Sequence, residues 1–148
     1  MHSPNIKSAA EISPDGHWLA YHSSESGRLE IYVRPFPNVD RGKWLVSTSG
    51  GSGPVWSRNG AELFYLDSER FLTGLSIRTS PTFTAGTPAR VFSTRYFFFG
   101  TLSPAYDVAP DSRRFLIIKS VGHEKSGPAN IVVVEHSVEE LKARVPTK

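Results

Sequence analysis

Three chemistries are open to the polar residues of this chain: acyl transfer by an activated serine, metal binding by histidines, and anion binding by a glycine-rich loop. Ser52 lies in the run Gly50-Gly51-Ser52-Gly53-Pro54. A serine between glycines is the setting of a nucleophile elbow, where a sharp strand-to-helix turn exposes the hydroxyl. Here Pro54 stands where the last glycine of that motif is required, and the following residues read as a strand. A phosphate loop fails for the same reason, because it needs a helix N-terminus behind the glycines. The run reads as a flexible connection. His17 and His22 are five apart on one expected strand, so they point to opposite faces. His2, His123 and His136 have no partner near in sequence, and no acidic run has the spacing of a calcium loop. Glu139 and Glu140 are adjacent on an expected helix and do not face each other. The absence of cysteine removes disulfide scaffolds, zinc ribbons, thiol catalysis and iron–sulfur sites. The residues argue for no catalytic centre, no metal site and no cofactor, and this segment reads as non-enzymatic.

Charge and hydropathy narrow the partners. Seventeen Lys and Arg stand against fourteen Asp and Glu, a net charge of +3. Arg113-Arg114 is the only adjacent basic pair, and the remaining cations are interleaved with acids, whereas phosphate-backbone affinity needs clustering. Nucleic acid is not an expected partner. The longest apolar runs, 96–99, 115–118 and 131–134, fall far short of the roughly 20 residues of a spanning helix. Residues 1–10 lack the apolar core of a signal peptide. No membrane contact is expected from this segment, and its compartment is left open.

The elements that would position any site come from a repeat. Three turn segments align: Ser13-Pro14-Asp15-Gly16, Ser57-Arg58-Asn59-Gly60 and Ala109-Pro110-Asp111-Ser112, whose starts are 44 and then 52 residues apart. Pro14 and Pro110 preset φ, Asp15, Asn59 and Asp111 can bond nearby backbone N–H groups, and Gly16 and Gly60 take φ > 0 without a Cβ clash. Ser112 replaces the third glycine, so that turn is expected to be strained or differently shaped. Ala10/Ile12, Pro54/Trp56 and Tyr106/Val108 precede the turns at matching offsets. Leu19-Ala20-Tyr21, Leu63-Phe64-Tyr65 and Phe115-Leu116-Ile117 follow them in register. These second strands are apolar on consecutive residues, so both faces must be covered, as stacked sheets achieve and a lone sheet facing water does not. Third strands are expected at 29–36, 71–77 and 130–134, and fourth strands at 44–48 and 89–94. Four short antiparallel strands with a period in the forties mark a propeller blade. The expected fold is all-β: a partial β-propeller of about three four-stranded antiparallel blades at 9–48, 53–94 and 104–136, the last lacking its fourth strand. It ends in one short helix at 138–145, started by a Ser137/Glu140 capping box, with Val138, Leu141 and Val145 on one stripe.

The phrases Ile12-Ser13-Pro14-Asp15-Gly16-His17-Trp18-Leu19-Ala20-Tyr21, Glu30-Ile31-Tyr32-Val33-Arg34-Pro35-Phe36, Trp44-Leu45-Val46-Ser47-Thr48 and Pro54-Val55-Trp56-Ser57-Arg58-Asn59-Gly60 resemble TolB-like, WD-repeat-like propeller repeats built around a Ser-Pro-Asp-Gly turn. The resemblance spans about residues 9–136. It implies kinship with the C-terminal propellers of bacterial membrane-anchored serine/threonine kinases and of TolB-domain proteins, hence a module that binds protein or peptide at the sensory or scaffolding end of a larger protein. It also implies periplasmic or extracellular exposure of a longer parent. The same repeats occur as lids on prolyl-oligopeptidase-type serine peptidases, which gives the alternative parent. Departures are the degenerate third turn, the insertion at 95–105 and the missing kinase and membrane segments.

Three blades do not close a ring, since propellers typically use four to eight. Two copies self-associating into a six-bladed ring, or membership of a larger protein of which this is the C-terminal part, would each solve the problem; entry into the first blade almost at once favours the second. Contact residues are sought on the loops between blades and between second and third strands, because function sits on loops held by a rigid scaffold. The candidates are Arg28, Ser52, Arg70, Arg95, Tyr96 and His123. The Tyr96-Phe97-Phe98-Phe99 run reads either as packing beneath a long loop or as an exposed contact patch.

Overall fold

The computed structural model describes residues 7–94, 106–119 and 130–135. The expected helix at 138–145, the aromatic run and the candidates Arg95, Tyr96 and His123 lie outside the described residues.

The three turns form one structure. Gly16, Gly60 and Ser112 each donate a backbone N–H to the carbonyl three residues back, at 2.8–2.9 Å. Ser13, Ser57 and Ala109 each donate to the carbonyl five residues on. Asp15, Asn59 and Asp111 accept from the N–H two residues on, at 3.0–3.1 Å. Ser112 adopts φ +57°, beside +76° at Gly16 and +70° at Gly60. The third turn therefore keeps the shape of the other two and carries the strain of a side chain in the left-handed region.

Each turn joins the first two strands of an antiparallel sheet. β1 (Lys7–Ile12), β2 (Trp18–Ser23), β3 (Glu30–Pro35) and β4 (Trp44–Leu45) pair in that order. β5 (Ser52–Trp56), β6 (Glu62–Leu66) and β7 (Phe71–Arg78) follow. β7 then pairs with two short strands, β8 (Thr84–Ala85) and β9 (Ala89–Ser93). β10 (Tyr106–Val108), β11 (Arg114–Lys119) and β12 (Asn130–Glu135) make the third sheet. β4 stops sooner than expected because a side chain replaces the ladder: the Ile31 N–H donates to Ser47 Oγ at 2.9 Å, and Ser47 in turn bonds the buried Glu30.

The doubly apolar second strands are explained by two separate cores. Ala20, Ile31 and Val33 of the first sheet meet Leu63, Tyr65, Leu75 and Ile77 of the second. Phe64, Leu66 and Leu72, on the opposite face of that second sheet, meet Phe115, Ile117 and Tyr106 of the third. β6 thus alternates, residue by residue, between two cores. Sheets stacked face to face in sequence order, with no shared interior, are propeller blades and exclude a single-core sandwich. The chain is all-β, a partial β-propeller.

Candidate binding cleft

The first strands of the three sheets meet one another. β5 lies against β1 on one side and β10 on the other. Two of these strands carry irregularities at the same repeat position: register shifts span Ser8/Glu11 and Ser52/Val55, with Ala9 at φ +50° and Gly53 at φ +58°. Each residue stands four before its turn. The bulges leave backbone groups free to bond across blades. Gly53 N–H donates to His22 Nδ1 of the first sheet at 3.2 Å, and Gly53 O accepts from Tyr106 Oη of the third at 2.8 Å.

His22 and Ser8 place a serine hydroxyl 2.6 Å from an imidazole nitrogen, the distance of a nucleophile and its base. The tautomer rules the pair out. Nδ1 accepts from Gly53, so the ring proton sits on Nε2 and is donated to Ser8 Oγ. The ring has no lone pair aimed at the hydroxyl, and burial holds the His22 pKa below its ordinary value. The pair is a latch between β1, β2 and β5. Among the described residues no group of three His, Asp or Glu side chains is placed to hold a metal.

A cleft of about 640 Å³ opens where the inner strands reach the turns. Glu11, Trp56, Arg58, Asp107 and Arg114 line it, with Pro14 and Pro110 at the turns. Glu11 accepts from the Trp56 backbone N–H at 3.1 Å, while its own carbonyl accepts from Trp56 Nε1 at 3.2 Å. Burial pushes the Glu11 carboxyl up to about 7; the Trp56 N–H opposes this and the charge of Asp107 adds to it. Tyr106, fully enclosed beside the same two acids, is held well above its ordinary value, chiefly by desolvation. Arg114 is tied to Asp111 at 3.0 Å. The cleft therefore offers two carboxylates at its inner strands, an indole edge between them, and guanidinium groups nearby. That combination suits an extended peptide, with a cationic group for the acids and hydrogen bonds for the strand edges.

The sequence candidates fall elsewhere. Arg28 pairs with the buried Glu30 and is largely exposed. Ser52 opens β5, half-buried. Arg70 takes φ +64°, and its carbonyl accepts from both N–H and Oγ1 of Thr94. Their loops do share one end of the blades: Gly51 N–H bonds Leu29 O, and Ser68 Oγ bonds Ser49 O. None of the three lines the cleft, which opens at the end bearing Pro14, Asp15, Gly16, Asn59, Gly60, Pro110 and Asp111. Glu11 and Asp107 were legible in principle. Each is two residues before its turn, the offset lying between the apolar pairs Ala10/Ile12 and Tyr106/Val108.

No family model matches the chain. It is similar in structure to a putative TolB from Agrobacterium tumefaciens, with a TM-score of 0.54 at 14% identity over 90% of this chain and 46% of that one. A TolB from Acinetobacter baumannii matches at TM-score 0.38 and 13% identity, over 90% and 41% of the two chains. In sequence, 61 residues are 40% identical to dipeptidyl aminopeptidase BI of Pseudoxanthomonas mexicana, which is 40% of this chain and 8% of that protein. The chain thus spans less than half of the solved structures it resembles and a small part of the peptidase. Its fold is the TolB-like β-propeller.

Proposed function

We propose that this chain is a non-catalytic propeller module that binds a protein or peptide segment in the cleft of Glu11, Trp56 and Asp107. The observation that carries the reading is the convergence of three inner strands on one open cleft, two of them contributing carboxylates at the same repeat position. A bound lysine, arginine or N-terminal amine would restore the charged state of Glu11, so affinity should rise with pH through about 7. The test is a titration of the 15N-labelled protein with short lysine-containing and glutamate-containing peptides. Shifts of the Trp56 Nε1–H and of Glu11 and Asp107 amides, with the basic peptides binding more tightly, support the reading. Shifts confined to the 24–29 and 67–70 loops, or none, refute it.

The parent we propose is a larger bacterial protein, such as a receptor-type serine/threonine kinase with this WD-repeat-like segment as its C-terminal sensory end. A second reading, the propeller of a prolyl-oligopeptidase-type peptidase, draws on the 61-residue likeness to a protein named as a dipeptidyl aminopeptidase. The neighbouring coding sequence separates them: a kinase domain with a spanning helix before this segment, or a nucleophile-elbow domain after it.

A further inference from the structure

The blades follow a packing order that leaves two faces without a partner in the described residues. At the middle position of the second strands, Ala20 and Phe64 point forward to the next sheet, and Leu63, Tyr65, Phe115 and Ile117, at the flanking positions, point back to the preceding one. By the same alternation Leu116 and Ile118 of the third sheet point forward. They are 43% and 44% exposed. At the other end, Leu19 and Tyr21 occupy the backward positions of the first sheet. They line a hollow of about 440 Å³ together with Ala10 and Arg34. Tyr21 stacks on Tyr32 at 5.8 Å, and its hydroxyl accepts from Arg34 Nε at 2.9 Å, so an apolar and aromatic surface sits within a charged rim.

We propose that the Leu116/Ile118 face docks on the Leu19/Tyr21 face of a second copy of this chain, so that two copies close one ring. At both junctions within the chain a forward face takes a backward face of the same repeat, and the chain carries one open example of each. Three blades cannot close; six lie within the four to eight that do. The chain aligns with 46% of the Agrobacterium propeller, so a ring of that kind needs about as much again. A head-to-tail contact made twice, with a two-fold axis between the copies, closes the assembly and leaves no free end. It also completes the cleft: β10 of one copy comes to lie beside β1 of the other, which sets a second Asp107/Glu11 pair across the axis. The proposal goes beyond peptide binding and does not depend on it.

Sedimentation velocity at micromolar to submillimolar concentration tests it. The intact chain is expected to run with twice its own mass. Leu116→Asp on one face and Leu19→Asp on the other should each weaken the dimer by roughly 30-fold, the loss typical of a central contact. Circular dichroism of each variant confirms folding. Mixing the two should restore a heterodimer, because one junction then pairs two intact faces. A monomeric wild type overturns the proposal. So does a dimer insensitive to Leu116→Asp together with Ile118→Asp, or variants that fail to complement. Deleting 136–148 tests the chain's own tail as the cover: a monomer that dimerises only on that deletion also overturns it.

Discussion

Replacing Glu11 by Gln should leave the protein's stability less sensitive to pH and raise it at alkaline pH. The Glu11 carboxyl titrates near 7 in the folded protein against an ordinary 4.5, because burial disfavours the charged form more than the Trp56 N–H favours it. A raised carboxyl pKa means that the folded state holds its proton more tightly than the unfolded chain. The associated stability is fully present below 4.5 and is lost as pH rises through about 7. The full difference would correspond to ~3 kcal/mol. Glu11 keeps partial contact with solvent in the open cleft, and screening reduces this to ~1–2 kcal/mol. Asp107, the nearest like charge, adds to the penalty, while Arg58 and Arg114 at the cleft wall act against it.

Glu11→Gln keeps an amide oxygen to accept from the Trp56 N–H and cannot ionise. Urea denaturation of both proteins at a series of pH values from about 4 to about 8 measures the effect. The difference in unfolding free energy between variant and wild type should be flat below pH ~4.5 and rise by ~1–2 kcal/mol in favour of the variant by pH ~8. His22, whose pKa is lowered by burial, costs stability in both proteins as pH falls below 6.5, and cancels in that difference. A flat difference over the whole range, or one that moves in favour of wild type at alkaline pH, would refute the assignment of Glu11 as a buried, charge-penalised group.

Other perturbations follow from the same geometry. Ser112→Gly should stabilise by ~0.5–1 kcal/mol, since it removes a side chain from φ +57°; a lower Tm would contradict the strain. Gly16→Val should cost ~1–2 kcal/mol through φ +76° alone, because nothing lies within 4 Å of the added Cβ, and an unchanged Tm would count against the turn. Tyr106→Phe removes the bond to Gly53 O and should cost ~1–2 kcal/mol in urea unfolding; a neutral result would show that the carbonyl finds another donor. Phe115→Ala should cost ~3–5 kcal/mol, as the ring is 1% exposed between Phe64 and Phe92, and a loss below ~1 kcal/mol would place it outside the core.

The blades were legible because two of their determinants are local or periodic. The turn needs a carboxylate or amide at one position and a tolerated φ > 0 at the next, and both appear in the order of residues. Two-sided burial shows as consecutive apolar residues such as Leu63-Phe64-Tyr65, and it emerged as two cores. β8 escaped notice because two residues, Thr84 and Ala85, carry no period. The extent of β4 was overestimated because Ser47 uses its side chain where a ladder bond was expected. The cleft was missed for a different reason. Its residues lie far apart in the chain, and a carboxylate on a strand next to a turn looks like any solvated group until the neighbouring blade is in place. Glu11 becomes unusual only because Trp56, 45 residues on, sits over it.

Gly53 shows what the glycine run in front of β5 does. Read as sequence, Gly50-Gly51-Ser52-Gly53 is a flexible connection. In the fold, Gly53 is buried and held on both sides, its N–H by His22 and its C=O by Tyr106. One peptide unit thereby ties three sheets together at the level of the inner strands. The φ of +58° aims these two groups at opposite neighbours, which a regular strand residue, bonded within its own sheet, does not do. Ala9 takes the same conformation one repeat earlier, in the sheet whose backward face is open. A closed ring would bring the first sheet a Tyr106 from the third sheet of the other copy, in the relation that Tyr106 bears to Gly53 here. The bulge at Ala9 is thus shaped for a neighbour of the same kind, and the geometry of the inner strands and the pairing of the end faces point to one assembly.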